Sequence, residues 1–288
     1  MPSGRQQWVA VAKAIYSRFG EVDATDRAAA LTYYGVLSLF PALLVTVALL
    51  SLLGEYPGTY ESIVNTLRDA APGSAVDAID SALRGALSNR SNAGPLLVFG
   101  LLVAFYAASG AVGAAMRSLE AINRAKRGRS FFPNLGVRLG LTALLSVLVL
   151  VAFLAVVVAG PLFGAIANAA GVSGGIAGLV GYMRWPLGAA ALLTAFAIVY
   201  ALGPRRTPRK GDRSLRSVLP GAAFGTALWF AVSLLFSAYV SHFSSYDKTY
   251  GTLGALISLL IWLWLGNLAF LLGALFNAET ERIRGEGS

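Results

Sequence analysis

Five long stretches of this 288-residue chain contain no charged side chain. They lie between the following pairs of charged residues: Arg27 and Glu55, Arg90 and Arg117, Arg138 and Arg184, Arg216 and Asp247, and Lys248 and Glu279. A helix needs about 20 residues, rising about 1.5 Å each, to cross a hydrocarbon core of about 30 Å, and every stretch is longer than that. Only 13% of the residues are charged, against about 25% in soluble domains. The sequence therefore predicts an all-α, polytopic integral membrane protein.

Six transmembrane helices are predicted from the apolar segments. The expected spans cover residues 31–53, 95–116, 139–160, 185–203, 218–240 and 252–276. Residues 161–183 are also uncharged, but they contain Pro161, Asn168 and six glycines, so they are predicted to form an outer loop or a re-entrant segment. Another span there would place two strongly basic loops on opposite sides of the membrane, against the positive-inside rule.

Basic residues are distributed unequally between the two sides of this topology. The loops 117–138 and 204–217 each contain six basic residues and one acidic residue. Eighteen of the 23 Lys and Arg residues lie on the side of these loops, which is the cytoplasmic side by the positive-inside rule. Both termini are predicted to be cytoplasmic, with residues 54–93, 161–183 and 241–250 outside.

The transmembrane domain, residues 31–276, is flanked by segments with patterns of their own. In the N-terminal region 1–30, residues 5–20 predict an amphipathic helix with Trp8, Val11 and Ile15 on one side. Such a helix lies in the lipid headgroup region or packs on the cytoplasmic face of the protein. Residues 54–93 predict two short helices that cap the outer face, and residues 277–288 form a cytoplasmic tail.

Few residues are suited to catalysis. The chain has no Cys and a single His, His242, which excludes disulfides, thiolate sites and a His-rich metal centre. It has no phosphate-binding loop, nucleophile elbow or zinc-helix motif, and its acidic residues are confined to loops and termini. We therefore expect no enzymatic activity, no cofactor and no metal. The net charge of +9 follows from membrane topology, so no nucleic-acid partner is expected.

Polar and aromatic side chains within the spans are the candidates for a substrate path or a lipid-binding site. The candidates are Tyr33, Tyr34, Ser38, Pro41, Tyr106, Arg184, Tyr250 and Asn267. Pro41 should kink the first span and turn Tyr33 and Tyr34 toward a partly polar internal cavity. Arg184, at the outer end of the fourth span, can pair with a lipid phosphate or a carboxylate. The structural alternatives are interhelical hydrogen bonds, interfacial aromatic residues and a snorkelling arginine.

A set of motifs spread over nearly the whole chain carries a family resemblance. They are Ala28-Ala29-Ala30-Leu31-Thr32-Tyr33-Tyr34, Ser38-Leu39-Phe40-Pro41, residues 119–123, Phe132, Arg138, Tyr200, Pro204, Gly221-Ala222, Trp229, Tyr239, Tyr250-Gly251-Thr252-Leu253-Gly254, Trp262-Leu263, Leu272-Gly273-Ala274 and Asn277. Together they resemble the YihY/BrkB family of bacterial inner-membrane proteins. The family usually has Glu after the Gly-Ala near the end of the last span, whereas this chain has Leu275, with Glu279 one turn further on.

The resemblance implies six spans with both ends in the cytoplasm and a location in the bacterial cytoplasmic membrane. Some members have been labelled as a ribonuclease, which the missing metal cluster does not support here, and others are associated with envelope integrity, export or lipid transport. The leading hypothesis is a transporter or translocator, with membrane lipids as partners and an anionic lipid or a small solute as substrate. The alternative is a non-transporting membrane scaffold or envelope-assembly partner. The sequence leaves open whether the chain forms oligomers.

Overall fold

The computed structural model describes most of the chain as helices. The backbone is described for residues 4–52, 90–124, 131–169, 175–204, 215–242 and 247–286, and the side-chain surroundings for residues 8–38, 98, 100–124, 132–151, 186–204, 216–239 and 257–283. These ranges contain seven helices and no strand, which confirms the all-α class.

The seven helices include one counterpart for each predicted span. They are α1 (Gly4–Glu21), α2 (Ala24–Leu52), α3 (Arg90–Ile122), α4 (Phe131–Ala169), α5 (Gly175–Leu202), α6 (Leu215–His242) and α7 (Asp247–Glu286). Each predicted span lies inside one of α2 to α7, apart from the last residue of the first and fourth spans, and the helices extend beyond the spans. Four described segments are long and apolar enough to cross a bilayer: Gly100–Ile122, Phe132–Val151, Arg216–Tyr239 and Ile257–Ile283. The total of six spans and their sidedness remain predictions.

Residues 161–183 differ from the prediction of an outer loop or re-entrant segment. Helix α4 continues to Ala169 and α5 already begins at Gly175, so the described part of this segment is helical, and the prediction of a loop is wrong there. Helices α4 and α5 pack along each other. Glycine and proline lower helix propensity, but propensity is a weak influence that tertiary packing overrides, and α4 packs along α5 here.

The predicted polar connections are shorter than expected. Helix α3 continues into the predicted loop 117–138, α6 begins within the predicted loop 204–217, and α7 runs through most of the predicted tail 277–288. The predicted outer cap, residues 54–93, lies outside the described residues except for its last four, which begin α3.

The chain divides into two compact units. Unit 1 contains Met1–Ala24, Ala115–Trp229 and Ala269–Ser288, and unit 2 contains Thr25–Ala114 and Phe230–Leu268. The division falls inside α3, α6 and α7, so parts of these helices belong to each unit.

In unit 1, glycines bring α6 and α7 close together. A Cβ atom added to Gly225 would lie 3.1 Å from the carbonyl oxygen of Ala269, and one added to Gly273 would lie 3.0 Å from the Cα of Gly225. The Tyr200 hydroxyl of α5 donates to the carbonyl oxygen of Phe270 in α7. Small residues at such contacts allow close backbone approach in membrane bundles.

Helices α1 and α3 end with the same backbone conformation. Asp23 and Arg124 follow these helices with φ of 49° and 48°, the left-handed conformation that commonly terminates a helix. The N–H of Arg124 donates to the carbonyl oxygen of Ala121 at 3.2 Å. Arg18 Nη2 donates to the same oxygen at 2.9 Å, so the end of α1 is attached to the end of α3 within unit 1.

Candidate functional site

In unit 2, hydrogen bonds join the beginning of α2 to α7. Thr32 is buried, and its Oγ1 donates to the carbonyl oxygen of Ala28 at 2.8 Å. Thr32 Oγ1 itself accepts a hydrogen bond from Asn267 Nδ2 at 3.0 Å. Trp264 Nε1 donates to the carbonyl oxygen of Thr25 at 3.2 Å. Asn267 thus makes one of the interhelical hydrogen bonds that the sequence offered as an alternative to a cavity lining.

Tyr34 packs on the small-residue run of α3. A Cβ atom added to Gly110 would lie 2.9 Å from Tyr34 Cδ1, so the aromatic ring occupies the space that glycine leaves. The rings of Tyr33 and Tyr34 meet edge to face, with centroids 5.4 Å apart. The candidates Tyr33 and Tyr34 are therefore brought together, and Tyr34 links them to α3.

One turn beyond this contact, α3 becomes exposed. Tyr106 precedes Gly110 by four residues, on the same row of the helix, and 78% of its surface is exposed. Leu102, a further turn along this row, is 62% exposed. On α2, Tyr33 is 61% exposed. The side chain that covers Gly110 therefore leaves Tyr106 uncovered.

The position of Tyr106 along its helix places its phenol deep in the expected bilayer. It lies within the apolar segment Gly100–Ile122 and eleven residues before the exposed Arg117. At about 1.5 Å per residue this corresponds to about 16 Å, roughly half of a hydrocarbon core of about 30 Å. Among the residues that the structure describes, none donates to or accepts from the Tyr106 hydroxyl. Acyl chains offer a hydroxyl no hydrogen-bond partner.

Ser38 lies one turn beyond Tyr34 on α2. Its hydroxyl donates to the carbonyl oxygen of Gly35 at 2.7 Å, and the side chain is partly exposed. Because consecutive spans run in opposite directions, Ser38 on α2 and Tyr106 on α3 are expected at a similar level, both one turn from the Tyr34–Gly110 contact in the same direction. The expected internal cavity remains a prediction, since no enclosed space around these residues is described.

Three candidates have side chains outside the described residues. Pro41 lies within α2, Arg184 within α5 and Tyr250 within α7. Helix α2 continues through Pro41 to Leu52. Because α5 begins at Gly175, Arg184 lies in its third turn, not just ahead of the helix as the predicted span boundary implied.

Two relationships were not predicted from the sequence. The small-residue run of α3 indicated close packing, but nothing in it identified Gly110 as the position covered by Tyr34. Asn277 binds α6 through both ends of its amide: Oδ1 accepts from the Gly221 N–H at 2.7 Å, and Nδ2 donates to the Val218 carbonyl oxygen at 2.9 Å. Among the described residues, no group of three or more His, Asp or Glu side chains is placed to hold a metal ion.

The family model described as virulence factor BrkB matches residues 15–288. The chain belongs to this family. The relative YfkH of Bacillus subtilis (strain 168), which is named ribonuclease-like, is 33% identical over 266 residues, 92% of this chain and 93% of YfkH. No solved structure matches the chain.

Two relatives named UPF0761 membrane proteins match shorter segments. PSHAa0171 of Pseudoalteromonas translucida (strain TAC 125) is 30% identical over 103 residues, and XAC0937 of Xanthomonas axonopodis pv. citri (strain 306) is 32% identical over 101 residues. These alignments cover 36% and 35% of this chain, but 33% and 23% of the relatives. Family membership and the apolar helices together show that this is a membrane protein.

Several residues that carry the BrkB-family resemblance are packing residues of unit 1. Tyr200, Gly221, Gly273 and Asn277 all lie at the contacts between α5, α6 and α7. These positions therefore have a structural explanation that requires no ligand.

The departure from the BrkB-family pattern near the end of α7 is buried. Leu275 is completely buried, and Glu279, one turn further, is 4% exposed. Glu279 Oε2 lies 3.2 Å from Arg282 Nε, although this contact lacks hydrogen-bond geometry. The carboxylate nearest in sequence to Leu275 is thus paired with an arginine on its own helix.

Proposed function

We propose that this protein translocates a lipid or a small solute across the bacterial cytoplasmic membrane, along the polar side chains of α2 and α3 in unit 2. The exposed phenol of Tyr106, at mid-depth of an apolar helix, is the observation that carries the proposal. Tyr33, Tyr34 and Ser38 extend the same polar side toward the beginning of α2.

The Tyr106 hydroxyl would be costly to keep in pure hydrocarbon. Transferring a hydroxyl from water to apolar surroundings without a hydrogen bond costs roughly 2–7 kcal/mol. A phenol that packed only against acyl chains would bear this cost throughout the life of the protein. Water or the polar part of a moving substrate removes it, which is why polar groups at membrane depth commonly mark transport pathways.

We assign no enzymatic activity to this chain. The ribonuclease-like name of YfkH is not extended to it, because the sequence has no Cys, a single His and no phosphate-binding loop. The alternative is a non-transporting scaffold, which the close packing of α6 against α7 in unit 1 favours. Transport measurements separate these two functions.

The test uses purified protein in liposomes that contain fluorescent phospholipids or an enclosed panel of small solutes. Tyr106→Phe removes one hydroxyl, and we expect it to slow translocation about tenfold, since a hydrogen bond to a charged group contributes about 1.5–3 kcal/mol. Tyr239→Phe is the matched control, because Tyr239 is also exposed (57%) but lies on α6, outside the proposed path. Wild-type protein that moves no lipid and no solute would favour the scaffold.

A further inference from the structure

Helix α1 has one side that is attached to unit 1. Val11 is 6% exposed, and Ile15 and Phe19 follow it on the same side at helical spacing with partial burial. Arg18, also on this side, donates to the carbonyl oxygen of Ala121 at 2.9 Å, and the Trp8 ring stacks on Phe276 with a centroid distance of 6.1 Å. One side of α1 is therefore a protein contact.

The exposed side of α1 divides into two sectors of different chemistry. At 100° per residue, Trp8, Val9, Ala12 and Tyr16 fall within one arc of about 100°, which overlaps the buried side at Trp8 and Phe19. Trp8, Val9 and Tyr16 are 60%, 62% and 85% exposed. We call these four residues the apolar sector.

The remaining arc of α1 contains three exposed polar side chains, next to Ala10, Ala14 and Gly20. Lys13, Ser17 and Glu21 follow each other at intervals of four residues and are all exposed. Lys13 lies at the edge next to the apolar sector, where a long cationic side chain can reach the headgroups while its methylenes cover apolar surface. A helix with protein-facing, apolar and polar sides in this order fits a position where the surface of the protein meets the surface of the bilayer.

The chain connection keeps α1 at the membrane surface. Only Val22 and Asp23 separate the end of α1 at Glu21 from the start of α2 at Ala24, and α2 contains the first predicted span. The apolar sector therefore stays close to the first predicted span, whereas the polar sector is suited to water. The excess of basic residues predicted on this side of the membrane complements anionic headgroups.

We propose that α1 lies in the headgroup region with its apolar sector in the adjacent leaflet, and that anionic phospholipid headgroups at Lys13 are its partner. The sequence offered lipid contact and protein contact as alternatives for this helix. The three-sided arrangement gives α1 both contacts at once. This proposal is independent of the transport proposal.

The absence of Cys allows a direct measurement of depth. Single-cysteine variants Tyr16→Cys and Ser17→Cys place a nitroxide label on the apolar and polar sectors of the full-length protein, in liposomes of phosphatidylethanolamine and phosphatidylglycerol. We expect the label at position 16 to collide mainly with oxygen, about 5–10 Å below the headgroup surface. The label at position 17, the matched control, should collide mainly with a water-soluble nickel chelate.

Two results would overturn the membrane location. Equal nickel accessibility at positions 16 and 17 would mean that the apolar sector faces water. A label at position 16 that is shielded from both oxygen and nickel would mean that another protein surface, such as a second copy, covers the sector.

The lipid composition tests the anionic partner. Replacing phosphatidylglycerol by phosphatidylcholine should shift the ratio of membrane-bound to water-exposed α1 about fivefold toward water, which corresponds to one lysine near an anionic surface. Lys13→Gln should weaken this dependence while the label at position 16 stays in lipid. An unchanged lipid dependence in Lys13→Gln would contradict the role given to Lys13.

Discussion

Gly110 is the position at which α3 accepts the ring of Tyr34. A methyl group there would lie 2.9 Å from Tyr34 Cδ1 and 3.2 Å from Cε1, so the ring or the helix would have to move. We expect Gly110→Ala to lower the free energy of unfolding by about 1–3 kcal/mol, the usual cost of overfilling a packed contact. Denaturant unfolding in detergent micelles measures this change.

Gly100→Ala is the matched control on the same helix, because a Cβ there would meet nothing within 4 Å. It should leave stability unchanged or raise it by about 0.5–1 kcal/mol, since alanine favours the helix over glycine. In a Tyr34→Leu background the cost of Gly110→Ala should shrink. Equal effects of the two glycine substitutions would show that the ring contact is not responsible.

Glu21 is the residue whose titration should affect stability. The hydrogen bond from Arg18 Nη1 holds the pKa of Glu21 below its usual value, and Arg124, 3.5 Å away, acts in the same direction. A carboxyl group with a lowered folded-state pKa stabilises the protein above its unfolded pKa and loses this effect as the pH falls through the folded value. The stability difference between wild type and Glu21→Gln should therefore be largest above about pH 5 and vanish in acid.

The comparison is made by thermal unfolding over a pH series. Arg18→Gln removes the main hydrogen-bond donor to Glu21, so the pH-dependent difference should become smaller in that background. If the stability difference between wild type and Glu21→Gln grew toward low pH, the pKa of Glu21 could not be lowered in the folded protein.

Arg184 remains a candidate for holding an anionic headgroup. A charge-assisted hydrogen bond contributes roughly 1.5–3 kcal/mol, so Arg184→Ala should weaken binding of an anionic lipid or solute about ten- to a hundredfold. Arg184→Lys should retain only part of the wild-type affinity, because lysine keeps the positive charge but lacks the planar guanidinium group that can donate two parallel hydrogen bonds. Equal binding by all three purified proteins would remove Arg184 from the site.

At the scale of helices, Asn277 holds α7 against α6. Its amide bonds the Gly221 N–H and the Val218 carbonyl oxygen, so Asn277→Ala removes two interhelical hydrogen bonds at once. We expect a loss of about 1–3 kcal/mol in the free energy of unfolding. Thr194→Val is the control, because Thr194 Oγ1 donates to the Ala190 carbonyl oxygen of the preceding turn of its own helix, and its loss of unfolding free energy should be smaller. Similar losses would argue against an interhelical role.

The helices could be predicted from sequence more completely than their contacts. Charge-free apolar segments fix α2 to α7 because a bilayer demands both length and apolar composition. The prediction of a loop within residues 161–183 rested on glycine and proline content and on the charge of the flanking loops, and neither reports the packing of α4 along α5. The sequence shows that Asn267 is a polar residue in a span, but its partner Thr32 is 235 positions away. Helical periodicity predicts which face of its helix a residue occupies, but not which other helix packs against that face. The Tyr34–Gly110 contact escaped prediction for the same reason.

At the scale of the whole molecule, the topology is testable by labelling. With no native Cys, single cysteines in place of Ser130 and Thr207 report on the two basic loops. In intact cells we expect an impermeant thiol reagent to leave both unlabelled and to label a cysteine in place of Ser88, in the predicted outer segment. Labelling at position 130 or 207 without cell disruption would overturn the arrangement with both termini inside.

The contact of α6 with α7 constrains how this sequence can diverge. A side chain at Gly221 or at Gly273 would overlap the backbone of the opposite helix, whereas Leu234 and Leu235 are 69% and 71% exposed and only need to be apolar. Among relatives that share about a third of their residues, we expect substitutions to accumulate among aliphatic residues at the exposed positions. The two glycines should be inherited together, because replacing either one would force the crossing itself to change.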